Sequence, residues 1–294
     1  MSESLFFEQQ DGSRIAYKVY EPCKSDVTKD ETPLVMIVGL WTPKELLMGL
    51  EKELAKNRKV IVLDNRGIGE STVASENDPC SIDLMAQDTI ALIKHLAIKK
   101  FNLLGWSMGG QIALCIALNI PPQLKLEKLI ICASWLHLTT ATRLDNVYNL
   151  PKWYYAKSLQ EQRREITIMF EKNFTDYLLK HPEMFDKVVE VMFNARRPFE
   201  IFKRQWEAIK QSSFASKVHM IKVPTLIIHG EVDKLVSIQE GELLAHEIPD
   251  TIFVRIPKVG HMFWPMEPKS VIIINDFLFG KNNADVRNTA RCLL

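Results

Sequence analysis

"LLGWSMGGQIAL", residues 103–114, places a single serine between two apolar segments. The run before it, 101–104 ("FNLL"), is typical of a buried strand, and 108–119 ("MGGQIALCIALN") is typical of a helix. Glycines stand two residues before Ser107 and two and three residues after it. A G-x-S-x-G pattern alone arises by chance in about one chain in ten of this length, but the strand-turn-helix setting is the one that carries chemistry. The stretch therefore predicts a sharp turn that presents Ser107 Oγ at the start of a helix.

On both sides of this stretch, the chain alternates between two patterns. Short, nearly continuous apolar runs are typical of strands covered on both faces, and they are "PLVMIV", "KVIVL", "FNLLG", "KLIICAS", "PTLIIHG" and "TIFVRIP". Segments with apolar residues three and four apart are typical of helices, and they are "PKELLMGLEKELAKN", "SIDLMAQDTIALIKHLA", "MGGQIALCIALN", "VSIQEGELLAHEI" and "KSVIIINDFLF". Ser81 or Asp83 and Ser237 are candidate helix caps. The alternation predicts an α/β fold with a mostly parallel sheet, preceded by an antiparallel hairpin over 4–21.

One region interrupts the alternation. Residues 135–222 contain no good strand pattern and are rich in aromatic side chains at helical spacing, which predicts a helical cap inserted between two strands. The predicted organisation is a core in two parts, 1–134 and 223–280, with the cap between them. Residues 281–294 are polar and aperiodic, and we expect a flexible tail.

Composition narrows the function classes. The 294 residues carry a formal net charge of +1 and no Lys/Arg-rich stripe, which argues against a nucleic-acid partner. The N-terminus lacks the pattern of a signal peptide, and no stretch approaches the ~18 consecutive apolar residues of a membrane span. We expect a soluble, cytoplasmic protein. The five cysteines lack metal-site spacing and are expected to be free thiols.

A serine hydroxyl needs a base, and the base needs an orienting carboxylate. Of the seven histidines, His261 follows the last apolar run, in the kind of loop where α/β sheets collect functional groups; His229, also at a strand end, is the alternative. Asp233 follows "TLIIHG" and is the candidate acid, with Glu231 as the alternative. The order Ser107, Asp233, His261 is the one expected of an α/β hydrolase.

Four motifs carry a resemblance to a known family: "GWSMGG", "LDNRGIGEST", "LIIHGEVDKLVS" and "VGHMFWPMEP". They resemble the nucleophile elbow, the loop after the fourth strand, the acid loop and the histidine loop of the α/β-hydrolase superfamily, in its capped serine esterase and lipase branch. The resemblance spans about residues 1 to 280. It implies an eight-stranded sheet flanked by helices, with the insertion as a lid over the serine.

The resemblance also implies an oxyanion hole of two backbone N–H groups, from Met108 and from the loop after the third strand, where Leu40 is the first choice and Trp41 the alternative. Many relatives carry His-Gly at this loop, and here Val38 replaces the histidine. Asp64 and Arg66 are interpreted as structural partners in a glycine-rich turn. The candidate substrate contacts are Trp41, Trp106, Trp135 and Met262.

These observations predict a serine hydrolase that cleaves a carboxylic ester of a small hydrophobic substrate through an acyl-enzyme, with no metal or organic cofactor. A thioesterase, an acyltransferase, a cofactor-free haloperoxidase or a carbon–carbon bond hydrolase would use the same residues. A ligand-binding receptor that does not turn its ligand over is the alternative from another class. The sequence does not indicate an oligomeric state.

Overall fold

A mixed, mostly parallel sheet of eight strands organises the molecule. The computed structural model describes residues 3–22, 32–75, 78–137, 156–281 and 285–287. The strands are β1 (Leu5–Glu8), β2 (Arg14–Tyr20), β3 (Leu34–Ile37), β4 (Val60–Leu63), β5 (Lys100–Trp106), β6 (Lys125–Cys132), β7 (Thr225–Gly230) and β8 (Thr251–Ile256). Their order in the sheet is β1-β2-β4-β3-β5-β6-β7-β8. The pairs β1/β2 and β2/β4 are antiparallel and all others are parallel, so the predicted hairpin and sheet are confirmed.

The central strands are buried on both faces, which explains their unbroken apolar runs. In β3, Val35 and Ile37 pack into one hydrophobic cluster while Leu34 and Met36 pack into another on the opposite face. Every residue of β3 is buried. A strand of this kind shows no polar alternation, because helices cover the sheet on both sides.

Helices follow the strands at the predicted segments. They are α1 (Leu50–Ala55), α2 (Ile82–His95), α3 (Met108–Leu118), α4 (Leu159–Met169), α5 (Lys172–Lys180), α6 (Pro182–Asn194), α7 (Phe199–Gln211), α8 (Ile238–Glu247), α9 (Phe263–Met266) and α10 (Lys269–Leu278). Ser81 caps α2 by accepting a hydrogen bond from Leu84 N at 3.0 Å. The expectation for Ser237 is wrong: it precedes α8, but its hydroxyl donates to Gln239 Oε1 and it makes no capping bond.

The helices α4 to α7 lie between β6 and β7 in the chain, which confirms a helical insertion. Its aromatic side chains are partly shared with the core: Phe202 and Trp206 join the cluster that contains Val35, and Phe174 joins the cluster that contains Met36. Trp153, Tyr154 and Tyr155 lie outside the described residues, as does the rest of 138–155. The insertion is therefore packed on the sheet domain through the described helices, while its predicted boundaries stay a prediction.

Three further features of the chain are partly visible. Cys80, Cys115 and Cys132 are free thiols, whereas Cys23 and Cys292 fall outside the described residues. Of the predicted flexible tail, the structure describes residue 281 and the helical turn at 285–287, in which Val286 is fully buried; the remainder lies outside. Within the described ranges, no helix combines the length and apolar character that crossing a membrane requires.

Candidate active site

The Ser107 turn is set by the backbone. β5 ends at Trp106 and α3 begins at Met108, so Ser107 alone connects strand to helix, with φ 57° and ψ −124°. A non-glycine residue in this region costs free energy, and it persists only where the surroundings determine it. Here Ser107 N donates to Cys132 O at 2.9 Å, which fixes the turn against β6.

Two glycines allow the turn. A Cβ on Gly105 would overlap the backbone carbonyl of Gly109, and a Cβ on Gly109 would overlap the carbonyl of Ile37. The start of α3 therefore lies directly against β5 and the end of β3. This close approach is the physical reason for the two flanking glycines in the motif.

The predicted base and acid are in contact. Nδ1 of His261 lies 2.8 Å from Oδ2 of Asp233. The other carboxylate oxygen, Oδ1, accepts hydrogen bonds from the backbone N–H groups of Leu235 and Val236, both at 2.9 Å. Because the carboxylate accepts a hydrogen bond from Nδ1–H, it favours the tautomer in which Nε2 of His261 is the proton acceptor.

His229 and Glu231, the alternative base and acid, do not form the contact that joins His261 to Asp233. His229, on β7, is completely buried behind Asp233: its Nε2 bonds Val236 O at 2.9 Å and lies 3.3 Å from Asp233 Oδ2. Glu231 is exposed. His229 thus supports the acid from the sheet side, whereas His261 approaches the acid from the histidine loop.

The charges of the pair stabilise each other. Burial acts to raise the pKa of Asp233, but the His261 charge and hydrogen bonds from His229 and His261 lower this pKa well below its ordinary value. Burial acts to lower the pKa of His261, yet the charge and hydrogen bond of Asp233, followed by the charge of Glu171, raise it above 6.5. The environment therefore favours an imidazolium, the form that a general base reaches when it accepts a proton.

Trp106 ties the histidine loop to the Ser107 turn. Its Nε1 donates to His261 O at 3.2 Å, and the centres of its ring and the His261 ring are 5.4 Å apart. Trp264, in α9, packs edge-on against Trp106 with ring centres 5.1 Å apart. Because Trp106 immediately precedes Ser107, these contacts join the histidine loop to the residue next to the serine. Trp135 and Met262 are buried, and their contact with a substrate stays a prediction.

The loop after β3 passes close to the serine. A Cβ built on Gly39 would lie 3.5 Å from Ser107 Oγ. In this loop, Trp41 N already donates a hydrogen bond to Gln205 Oε1 at 2.9 Å. By contrast, neither Leu40 N, in the same loop, nor Met108 N, at the start of α3, has a hydrogen-bond acceptor among the residues that the structure describes. The N–H groups of Leu40 and Met108 are thus both available to bind an anionic oxygen, and their role in an oxyanion hole stays a prediction.

A carboxylate absent from the sequence analysis also enters the site. Glu171, just before α5 of the insertion, accepts a hydrogen bond from His261 N at 3.1 Å and another from Lys234 N. No motif marks this residue, since it is a lone glutamate between two helices of the insertion, and only the fold brings it to the two loops.

Asp64 and Arg66 are structural, but they do not pair with each other, which corrects the prediction. Asp64 binds the buried ammonium of Lys44 at 2.7 Å, and Arg66 binds Asp88 at 2.7 Å. Each therefore joins the glycine-rich turn to a different segment. In the described part of the chain, no group of three or more His, Cys, Asp or Glu side chains is arranged to hold a metal ion.

The fold and this arrangement define a hydrolase of the α/β class, and sequence comparison agrees. The profile of the family described as "alpha/beta hydrolase fold" matches residues 32–265. The chain belongs to the α/β-hydrolase family.

Named relatives cover most of the chain. Human monoacylglycerol lipase ABHD6 is 26% identical over 265 residues, which are 86% of this chain and 77% of the lipase. The 2-hydroxymuconate semialdehyde hydrolase of Pseudomonas sp. (strain CF600) is 28% identical over 245 residues, 78% of this chain and 80% of that enzyme. The solved enol-lactonase of Burkholderia xenovorans LB400 superimposes with a TM-score of 0.76 at 20% identity and covers 94% of this chain and 100% of its own. These likenesses support the family and the fold.

Proposed function

We propose that this protein is a serine hydrolase that cleaves a carboxylic ester of a small hydrophobic substrate, with Ser107 as nucleophile, His261 as base and Asp233 as orienting acid. The observation that carries the proposal is the 2.8 Å contact between His261 Nδ1 and Asp233 Oδ2, in a loop tied to Trp106, the residue before Ser107.

In the proposed reaction, Ser107 Oγ attacks the ester carbonyl while His261 Nε2 takes its proton. The imidazolium then protonates the leaving alcohol. In the second half of the reaction, a water molecule attacks the acyl-enzyme while His261 takes its proton, and His261 returns the proton to Ser107 Oγ as the carboxylic acid is released. The oxyanion of each tetrahedral intermediate accepts hydrogen bonds from the N–H groups of Leu40 and Met108. Donors of this kind contribute about 3 to 4 kcal/mol each to transition-state stabilisation.

An ester substrate is favoured by the relative named monoacylglycerol lipase. A second candidate, cleavage of a carbon–carbon bond by the same residues, is favoured by the relative named 2-hydroxymuconate semialdehyde hydrolase, because a semialdehyde of that name contains no ester. A thioesterase, an acyltransferase or a haloperoxidase would use the same residues, and a receptor without turnover would bind its ligand in the same place.

The test is hydrolysis of p-nitrophenyl acetate, butyrate, octanoate and laurate by the purified chain, with Ser107→Ala as the matched variant. We expect turnover with at least one ester, and a fall in kcat on the order of 10⁶-fold in Ser107→Ala. Absence of Ser107-dependent ester turnover would refute the ester hydrolase. In that case, Ser107-dependent cleavage of a vinylogous 1,5-diketone would support the carbon–carbon bond hydrolase, and tight binding without turnover would support the receptor.

A further inference from the structure

The side chain of Glu171 joins three parts of the molecule. It belongs to the insertion, at the residue before α5, and its two oxygens accept hydrogen bonds from Lys234 N in the acid loop and His261 N in the histidine loop. Its carboxylate makes no capping bond to α5, although the residue stands at the start of that helix. The group is therefore used to bridge the loops that carry Asp233 and His261.

The histidine loop is shaped to receive this carboxylate. A Cβ on Gly260 would overlap the carboxylate of Glu171, while the φ of Gly260 lies outside the left-handed region. The close contact at residue 260 thus comes from the Glu171 carboxylate and not from the backbone conformation, and an added methyl group would displace this flexible side chain. A Cβ on Gly230 would in turn overlap the carbonyl of Gly260, so the acid loop and the histidine loop pack backbone against backbone beside the bridge.

The charge of Glu171 acts on the same residues. Burial first, and then the charge of Asp233, raise the pKa of Glu171 despite the two backbone hydrogen bonds and the charge of His261. The carboxylate in turn raises the pKa of His261. Of the neighbouring lysines, Lys172 pairs with Asp176 at 2.5 Å, and Lys234 and Lys258 are exposed.

We propose that Glu171 is a positioning residue of the active site, whose carboxylate holds the histidine loop against the acid loop and makes the placement of His261 depend on the helical insertion. The inference rests on the proposed function for its catalytic consequence. The bridge itself is a property of the loops and can be measured without turnover.

The test compares Glu171→Gln with the unaltered chain. The two N–H groups bond different carboxylate oxygens, and in the amide one of these oxygens becomes an NH₂ donor that cannot accept a hydrogen bond. The loop therefore loosens, and misplacement of a catalytic group by about 1 Å costs up to about 10²-fold in rate. We expect kcat to fall about tenfold to a hundredfold, with KM changing less.

Removal of the negative charge also lowers the pKa of His261. Because the base must be neutral to accept a proton, the acid limb of the pH–rate profile moves to lower pH.

Two further variants separate this role from a general effect of mutation. Glu183→Gln removes an exposed carboxylate from the first turn of α6 and leaves kcat and the pH profile unchanged. Gly260→Ala keeps the charge but displaces the carboxylate, so it lowers kcat as Glu171→Gln does. This second variant also decides the matter if Glu171→Gln does not fold.

An NMR titration of the His261 ring gives the answer independently of turnover. A lower pKa of His261 in Glu171→Gln, with no change in Glu183→Gln, supports the bridge even if the unaltered chain hydrolyses no ester, which would refute the proposed function alone. An unchanged His261 titration together with unchanged kcat in both Glu171→Gln and Gly260→Ala would overturn the positioning role while leaving the proposed function intact.

Discussion

The Ser107 turn and the His261 loop meet at one site but are held in place by different means. Backbone contacts fix the turn: Ser107 N bonds a carbonyl of β6, and the flanking glycines let α3 approach β3 and β5. Charged side chains from distant segments fix the loop, namely Asp233 and Glu171. Closely packed backbone segments have essentially one arrangement. The strength of a contact between charged side chains, by contrast, varies with their protonation. We therefore expect damage to the turn to appear as lost stability, and damage to the loop to appear as lost rate.

Of the variants that separate the turn from the loop, the larger effect is expected on the loop side, in Asp233→Asn. The amide cannot stabilise the imidazolium and favours the wrong tautomer of His261, so kcat should fall about 10⁴-fold. The yield of folded protein should change little. Ester hydrolysis at saturating substrate measures this. Glu231→Gln, on the same loop but exposed, is the matched control and should keep full activity. If the two variants were equally active, Asp233 would not be the orienting acid.

On the turn side, Gly109→Ala is expected to cost about 3 kcal/mol of folding free energy, because the added methyl meets the backbone of β3 and neither side can yield. Gly49→Ala is the comparison: Gly49 has φ 95° but nothing within 4 Å of a Cβ, so only the conformational cost of about 1 to 2 kcal/mol applies. Urea unfolding of the two variants gives the difference. Equal costs would show that close approach does not hold the Ser107 turn.

The same difference explains what the sequence could predict. The turn is a local feature, so glycine spacing between a strand pattern and a helix pattern identified it directly. The sheet could be predicted equally well, since strands buried on both faces, such as β3, must be continuously apolar. Both histidines follow or end a strand pattern, and His261 could be preferred to His229 because it lies in the loop after the last strand.

Contacts between segments distant in the chain could not be predicted from the sequence in this way. Glu171 reaches loops 63 and 90 residues away, and nothing in its neighbouring sequence distinguishes it from a solvated glutamate. The partners of Asp64 and Arg66 were missed for the same reason, because Lys44 and Asp88 come from other segments. Any of several carboxylates or ammonium groups could have served, and only the packed fold selects among them.

We propose that His261, and not the other imidazole beside Asp233, makes Ser107 reactive. The direct measurement is the second-order rate of covalent labelling of Ser107 by a fluorophosphonate, compared between His261→Gln and His229→Gln. We expect labelling to slow by at least about 10²-fold in His261→Gln, the contribution of a general base, and to slow much less in His229→Gln, where Asp233 keeps its contact with His261. Slow labelling in His229→Gln with normal labelling in His261→Gln would contradict the account.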